Sequence, residues 1–207
     1  MDLTKRQLQE FNKTFLKNEL NEIIPQIRSV LGVASAERIF PFYVQWSKET
    51  SKGDLKTLRN LLNQLWDHIL EGKNLNEPEI KELYKKALET DHFLPRSDDS
   101  YSGVNQTYAE EVVSSVFYSA LGVLGDLDML VTAVEQESEL LDSYIAEKYG
   151  IPFEEPDEAK YEERLKLMKD GLSKQVEDLN DLKEMKNISS DELLKIKKRA
   201  SETKMKL

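Results

Sequence analysis

The sequence predicts an all-α protein: a single bundle-like domain of about seven to eight helices with a buried central helix. Apolar residues recur at helical spacing along nearly the whole chain, without a convincing alternation of period two. Glycine and proline, which interrupt helices, number only 8 and 6 among the 207 residues. The segment from Val104 to Gly125 is apolar on most sides beyond Val112, which is typical of a helix surrounded by other helices.

Helical periodicity predicts five helices before residue 90. We expect the second to end at Gly32, because glycine readily adopts the left-handed conformation of a helix terminus, and to hold Pro25 in an early turn. Asp54 is suited to cap the fourth helix by accepting an amide hydrogen bond, and Gly72 is suited to end it. The expected helices run from about Thr4 to Leu16, Leu20 to Leu31, Ala34 to Thr50, Leu55 to Leu70 and, after Pro78, through NEPEIKELYKKALE.

The second half of the chain divides at a linker. Residues 1–150 are predicted to form the core domain, and residues 151–207 a linker and C-terminal helices, because YGIPFEEPDE holds two prolines and a glycine. A narrow apolar stripe from Leu165 to Met185 must pack on the core, on another copy or on a partner. The other expected elements are a polar loop over residues 90–103, the central helix, a helix from Asp126 to Tyr149 with Asp126 as its cap, and a last short helix capped by Ser189 or Ser190.

Composition excludes several classes of protein. The chain has no cysteine, so we expect no disulfide framework and no thiolate chemistry. The longest apolar-rich run, Val112 to Leu124, is shorter than the roughly 18–20 residues that a membrane span needs. The N-terminus shows no secretory signal, since no basic patch precedes an apolar stretch. We therefore expect a cytoplasmic protein that does not bind membranes.

The chain is acidic, with 39 acidic against 29 basic residues and a net charge of −10. Nucleic acid is an unsuitable partner, because phosphate binding needs a field of the opposite sign. Residues 1–156 hold 27 acidic and 16 basic residues, so the negative field belongs to the main body. This charge either serves solubility or attracts a basic protein partner, and both interpretations stay open.

Motifs that would indicate catalysis are missing from the sequence. It has no phosphate-binding glycine loop, no helical His-Glu-x-x-His pair, no cysteine cluster and no nucleophile-elbow serine. The two histidines, His68 and His92, lie on different segments, whereas a zinc site normally needs three or four ligands. We expect a protein that is not an enzyme and that carries no cofactor or metal.

Carboxylates offer the one enzymatic alternative, a metal-dependent hydrolase using Glu37, Asp54, Asp98 or Asp99. Local roles explain these residues more simply. Asp54 is expected to cap a helix, Asp98 and Asp99 to close a turn through their own backbone amides, and Glu37 to pair with an arginine.

The segment ERIFPFYVQW and the helix after it combine arginines with large aromatic residues. We expect Arg38 and Arg59 to stack on a ring of Tyr43, Trp46 or Trp66 and to fork to a carboxylate, which fixes the packing of the two helices. Pro41 removes the amide that would bond the carbonyl of Glu37, so it kinks the helix and leaves an acceptor for a nearby arginine. The candidate structural or binding cluster comprises Glu37, Arg38, Pro41, Tyr43, Trp46, Asp54, Arg59, Trp66, Asp67, Asp98 and Asp99.

The stretch SAERIFPFYVQWSKETSKGDLKTLRNLLNQLWDHI resembles the signature of the YjaG-like bacterial proteins, catalogued as domain of unknown function 416. The segment FLPRSDDS and the apolar helix after it resemble the next block of that family, and the likeness runs from about residue 10 to 185. The resemblance implies an all-α fold in a cytoplasmic bacterial protein. It implies no activity, because the family has none assigned. The residues that carry it are Glu37-Arg38, Pro41, Tyr43, Gly53-Asp54, Leu58-Arg59 and Trp66-Asp67.

These observations together favour a non-catalytic protein-binding module, in its most specific form an immunity-type inhibitor that neutralises a basic toxin. Small acidic domains of this kind are in some cases found as immunity proteins beside secreted toxins. Two alternatives stay open: the carboxylate-metal hydrolase, and a protein that self-associates through the Leu165–Met185 stripe.

Overall fold

The computed structural model describes residues 13–94, 104–151 and 158–202, and helices make up most of them. Within these ranges there is no β-strand, so the predicted all-α class is confirmed. A short 3₁₀ turn, Pro25–Ile27, precedes the second helix. The α-helices of the described residues are α1 (Lys13–Asn21), α2 (Ser29–Thr50), α3 (Leu55–Glu71), α4 (Glu77–Glu89), α5 (Val104–Val123), α6 (Leu127–Tyr149), α7 (Glu158–Glu184) and α8 (Ser190–Glu202).

Helices α2 and α5 share the centre of the bundle. Helix α5 packs against α2, α3, α4 and α6, and its residues Val112, Val116 and Phe117 are buried, as the sequence predicts for the central helix. Helix α2 contacts α3, α5, α6, α7 and α8 and buries most of its side chains. The core therefore has two neighbouring central helices, and the others pack around them.

The predicted helix break at Gly32 is wrong. Helix α1 continues to Asn21, the chain turns at Pro25, and α2 runs without interruption from Ser29 through Gly32. The break between the two helices falls at Pro25 and not at Gly32. Proline fits the first turn of a helix, because the amide that it lacks would have no hydrogen-bond partner there. Gly32 instead allows helices to approach, since a Cβ at this position would lie 2.6 Å from Leu130 Cδ1.

The predicted helix caps are present. Asp54 Oδ1 accepts a hydrogen bond from the Thr57 amide at 2.9 Å and caps α3, and Asp126 Oδ1 accepts one from the Met129 amide at 3.1 Å and caps α6. Gly72 ends α3 in the left-handed conformation, with φ of 67°. The carboxylates of Asp54 and Asp126 thus accept hydrogen bonds from amides that the first turn of a helix otherwise leaves without a partner.

The C-terminal helices pack on the core. Helix α7 contacts α2 and α6, and α8 contacts α2, α3 and α7. Leu172, Leu179 and Leu182 of the predicted apolar stripe are fully or almost fully buried in these contacts. The stripe was expected to pack on the core, on another copy or on a partner. The core of the same chain covers these three leucines.

In the ranges that the structure describes, no helix combines the length and the apolarity needed to cross a lipid bilayer.

Candidate functional site

Glu37 joins helices α2 and α3 through two donors. Arg59 Nη1 lies 2.9 Å from each oxygen of the Glu37 carboxylate, and Trp66 Nε1 donates to Oε2 at 3.3 Å. The guanidinium carbon of Arg59 lies 3.7 Å from the centre of the Phe40 ring. Arg59 thus makes the expected carboxylate contact and ring stacking, with Phe40 as the ring in place of the tyrosine or tryptophans that the sequence suggested.

Arg38 faces away from this aromatic pair, so the expectation that it stacks there is wrong. Its side chain is fully buried and donates to Glu137 from Nε at 2.6 Å and from Nη2 at 2.8 Å. A third nitrogen, Nη1, donates to Asp178. Consecutive helical residues point about 100° apart, so Glu37 faces α3 while Arg38 faces α6 and α7.

Neither Arg38 nor Arg59 donates to the carbonyl of Glu37, the acceptor that the sequence suggested Pro41 would leave for a nearby arginine. Helix α2 continues through Pro41. Arg59 donates to the carboxylate of Glu37, and Arg38 donates to Glu137, Asp178 and the Ser35 hydroxyl. Both arginines bond carboxylates because charge-assisted hydrogen bonds are stronger than bonds to a neutral carbonyl.

The contacts of Arg38 extend into a buried polar network that connects four helices. Arg199 of α8 donates from Nε to Asp178 Oδ1 at 2.6 Å. Gln175 Nε2 lies 2.9 Å from Glu137 Oε2 and 3.0 Å from the carbonyl of Val134. Two arginines, Arg38 and Arg199, thus balance two fully buried carboxylates, which is the condition for keeping charges in a protein interior.

Burial acts on the pKa values of this network in opposite directions. Burial disfavours the charged form of Arg38, but Glu137 and Asp178 outweigh this effect and hold its pKa above the ordinary value. Burial also raises the pKa of Asp178, although Arg38 and Arg199 both oppose that rise. The ion pairs therefore offset a substantial cost of desolvation, and their removal would expose that cost.

The sequence reasoning missed Glu137, Gln175 and Asp178. A signal for Glu137 exists in the sequence, because it lies three residues after Val134 and four before Leu141, on the apolar face of its helix. Asp178 similarly lies among the apolar stripe residues of α7, next to Leu179. A charged residue at a position that the helical period reserves for the core indicates a buried ion pair.

Tyr43 and Trp46 close the turn between α2 and α3. Tyr43 Oη donates to the carbonyl of Phe93 at 3.0 Å, and burial raises the pKa of this phenol. The rings of Tyr43 and Trp46 lie 5.5 Å apart. Gly53, with φ of 78°, passes so close that a Cβ would lie 2.3 Å from Tyr43 Oη. These residues stabilise the fold around a turn.

The described candidate carboxylates Glu37, Asp54 and Asp67 each have partners of their own. Asp54 bonds Thr57 and lies 3.1 Å from His92 Nε2, while Asp67 accepts from Lys73 at the surface. Among the described residues, no group of three or more histidine, aspartate or glutamate side chains is arranged to hold a metal ion. The remaining two candidates, Asp98 and Asp99, lie outside the described residues.

Helices α5 and α6 carry an acidic face, which we define as Glu110, Glu111, Glu135 and Glu139. Burial, reinforced by Glu139 and Glu110, raises the pKa of Glu111 to about 7. Burial and Glu135 raise the pKa of Glu139. One cation approaches this face from the described residues, Lys13 of α1, whose Nζ lies 3.4 Å from Glu135 Oε2. Among the described residues, the acidic face thus places four carboxyl groups near one cation.

A groove, the second surface feature, lies between α6, α7 and α8. Its volume is about 700 Å³. Its apolar lining includes Leu141, Ile145 and Leu167, and its charged lining includes Lys195 and Lys198.

The fold and these contacts define an all-α helical-bundle protein whose polar core joins the C-terminal helices to the rest. The family model described as "Protein of unknown function (DUF416)" matches residues 15–206, which is nearly the whole chain. The chain therefore belongs to this family, and the match includes α7 and α8 as well as the core. None of the curated proteins and none of the solved structures compared with the chain matches it.

Proposed function

We propose that this chain is a non-catalytic protein-binding module that captures a basic partner on its acidic face. The observation that carries the proposal is the clustering of Glu110, Glu111 and Glu139: burial, and after it the repulsion from Glu139 and Glu110, raises the pKa of Glu111 to about 7. Like charges held together by the fold cost free energy, and a cation placed among them would offset that cost. The acidic face therefore has the electrostatics of a site for lysine or arginine side chains.

The charge of the whole chain supports the same proposal. The net charge is −10, and the acidic excess lies in residues 1–156, to which all four residues of the acidic face belong. A field of this sign steers a basic protein toward the chain and raises the association rate, while affinity depends on a few buried contacts in the interface.

The contacts of the conspicuous polar residues also favour binding over catalysis. Glu37, Arg38 and Arg59 hold α2 against its neighbours, and Asp54 caps α3. Each of these side chains has a partner that explains it structurally. The more specific form of the proposal is a cytoplasmic immunity-type protein that neutralises a basic toxin, consistent with an acidic chain whose family has no assigned activity.

The test begins with the protein encoded next to this chain. The neighbouring protein is expressed in cells with and without this chain, and growth and complex formation are measured. We expect the neighbour to be basic and to inhibit growth alone, and we expect co-expression to restore growth and to yield a complex on co-purification. Failure of rescue together with no complex would contradict the immunity proposal.

A further inference from the structure

The groove between α6, α7 and α8 has the size and lining of a small-molecule site. Its volume of about 700 Å³ lies within the roughly 300–1,000 Å³ that is usual for such sites. Leu141 and Ile145, both nearly buried, and Leu167 provide apolar surface. Tyr149 also lines the groove, and its aromatic ring leaves the residue 48% exposed. These side chains offer a place for an apolar group.

Contacts between the three helices fix the walls of the groove. Arg164 Nε of α7 donates to Asp142 Oδ1 of α6 at 2.7 Å, and Arg199 Nη2 of α8 donates to Asp181 Oδ2 of α7 at 2.6 Å. Gly171 lets α7 approach α6, since a Cβ there would lie 2.3 Å from Leu141 Cδ2. The three helices are thus fixed relative to one another, and a ligand would enter a preformed site.

Two lysines of the groove are available to an anionic ligand. Four cationic side chains line the groove together with Asp170 and Glu202. Lys174 pairs with Glu177, and Arg199 pairs with Asp178 and Asp181, which leaves Lys195 and Lys198. Lys195 is exposed and makes no hydrogen bond or ion pair in the structure as described. The cationic lining comprises Lys174, Lys195, Lys198 and Arg199.

We infer that this groove binds a small amphipathic anion, a single-chain carboxylate of the fatty-acid type. The carboxylate pairs with Lys195 and with Lys198, whose contact to Glu202 is long at 3.9 Å. The hydrocarbon chain covers Leu141, Ile145 and Leu167. No residue of the acidic face lines the groove, so this inference is independent of the proposed function.

The experiment uses dodecanoate as the probe, at concentrations below micelle formation, in calorimetric titration of the full chain. We expect saturable binding of one molecule per chain. Affinity should rise about twofold to fourfold for each CH₂ group from octanoate to dodecanoate, because each added group leaves water. Dodecanol, which has the same tail without the charge, should bind more weakly.

Matched lysine variants test the charged end. Lys195→Gln should weaken dodecanoate binding about fivefold, and Lys195→Gln/Lys198→Gln should weaken it further. Lys81→Gln on α4 removes the same charge from an exposed lysine away from the groove and should leave binding unchanged. The variants change exposed side chains, and circular dichroism verifies that each is folded.

Four results would overturn the inference. They are the absence of saturable binding, equal affinity for dodecanol and dodecanoate, equal effects of Lys195→Gln and Lys81→Gln, and binding to phosphatidylglycerol vesicles without binding to monomeric dodecanoate. The last result would assign the groove to a lipid surface.

Discussion

Arg38 and Glu137 form a two-pronged ion pair in which both side chains are completely buried. The pair joins α2 to α6, and the further bond from Arg38 to Asp178 extends it to α7. Asp178 in turn binds Arg199 of α8. The two C-terminal helices are thus attached to the core by buried charge as well as by apolar packing, and Arg38 is the residue that both buried carboxylates share.

Replacement of Arg38 by methionine should destabilise the protein by about 3–5 kcal/mol, because Glu137 loses its cation and Asp178 loses one of two inside the core. The measurement is the free energy of unfolding from urea denaturation. Lys81→Met, which breaks an exposed pair with Glu77, is the control and should change stability by less than about 1 kcal/mol.

The double variant Arg38→Met/Glu137→Leu should recover part of the loss caused by Arg38→Met, because it removes one unpaired buried carboxylate while Asp178 keeps Arg199. Equal stability of Arg38→Met and Lys81→Met would contradict this description of the network.

Trp66→Ala should lower the free energy of unfolding by roughly 3–5 kcal/mol, since Trp66 is fully buried and its ring nitrogen bonds Glu37. Leu88→Ala, at a side chain that is 50% exposed, is the control for losing apolar atoms at the surface and should have a small effect. An unchanged melting temperature for Trp66→Ala, with loss of partner binding, would instead assign Trp66 to a functional site.

Gly53→Ala and Gly72→Ala separate backbone strain from steric contact. Both glycines have positive φ, so alanine at either position costs about 1 kcal/mol in conformation. A Cβ at Gly53 would also meet Tyr43 Oη at 2.3 Å and the Phe93 carbonyl at 2.9 Å, whereas nothing lies within 4 Å at Gly72. Gly53→Ala should therefore lower the free energy of unfolding by about 1–3 kcal/mol more than Gly72→Ala does, as measured by thermal melting. Equal losses would show that the turn is more open than described.

The stability of the protein should depend on pH through Glu111. Its pKa is about 7 in the folded chain, against an ordinary value of 4.5. The folded state therefore keeps this proton after the unfolded chain has released it, and the resulting stabilisation is fully present below about pH 4.5 and is lost as the pH rises through 7. Glu111→Gln should flatten this part of the profile of unfolding free energy against pH. Glu82→Gln, at an exposed carboxylate on α4, should leave the profile unchanged.

Helix content and capping were predictable because they depend on local sequence. The period of the apolar residues located α3, α5 and α6, and the chemistry of Asp54 and Asp126 identified their roles as caps. The break at Gly32 was mispredicted for a reason that no local pattern carries. Glycine serves equally at a helix end and at a close helix crossing, and the neighbour that decides between them, Leu130, is distant in sequence.

The contacts of the candidate site were only partly predictable. Glu37 and Arg59 are 22 residues apart on adjacent helices, and an ion pair between them follows from pairing those helices. Arg38 bonds residues 99 and 140 positions away, which sequence spacing alone cannot bring together. The acidic face arises in the same way, because Glu111 and Glu139 meet only when α5 and α6 pack.

The most direct test of the binding proposal is the association rate constant of this chain with the protein encoded beside it, measured at low and high salt. Glu110→Gln/Glu111→Gln/Glu139→Gln removes three carboxyl groups from the acidic face. Glu77→Gln/Glu82→Gln/Glu89→Gln removes the same number of carboxyl groups from the exposed surface of α4. We predict that the first triple variant associates about tenfold more slowly at low salt and loses most of the salt dependence, while the second remains close to the unmodified chain. Equal rates for the two triple variants would contradict the assignment of the acidic face as the binding surface.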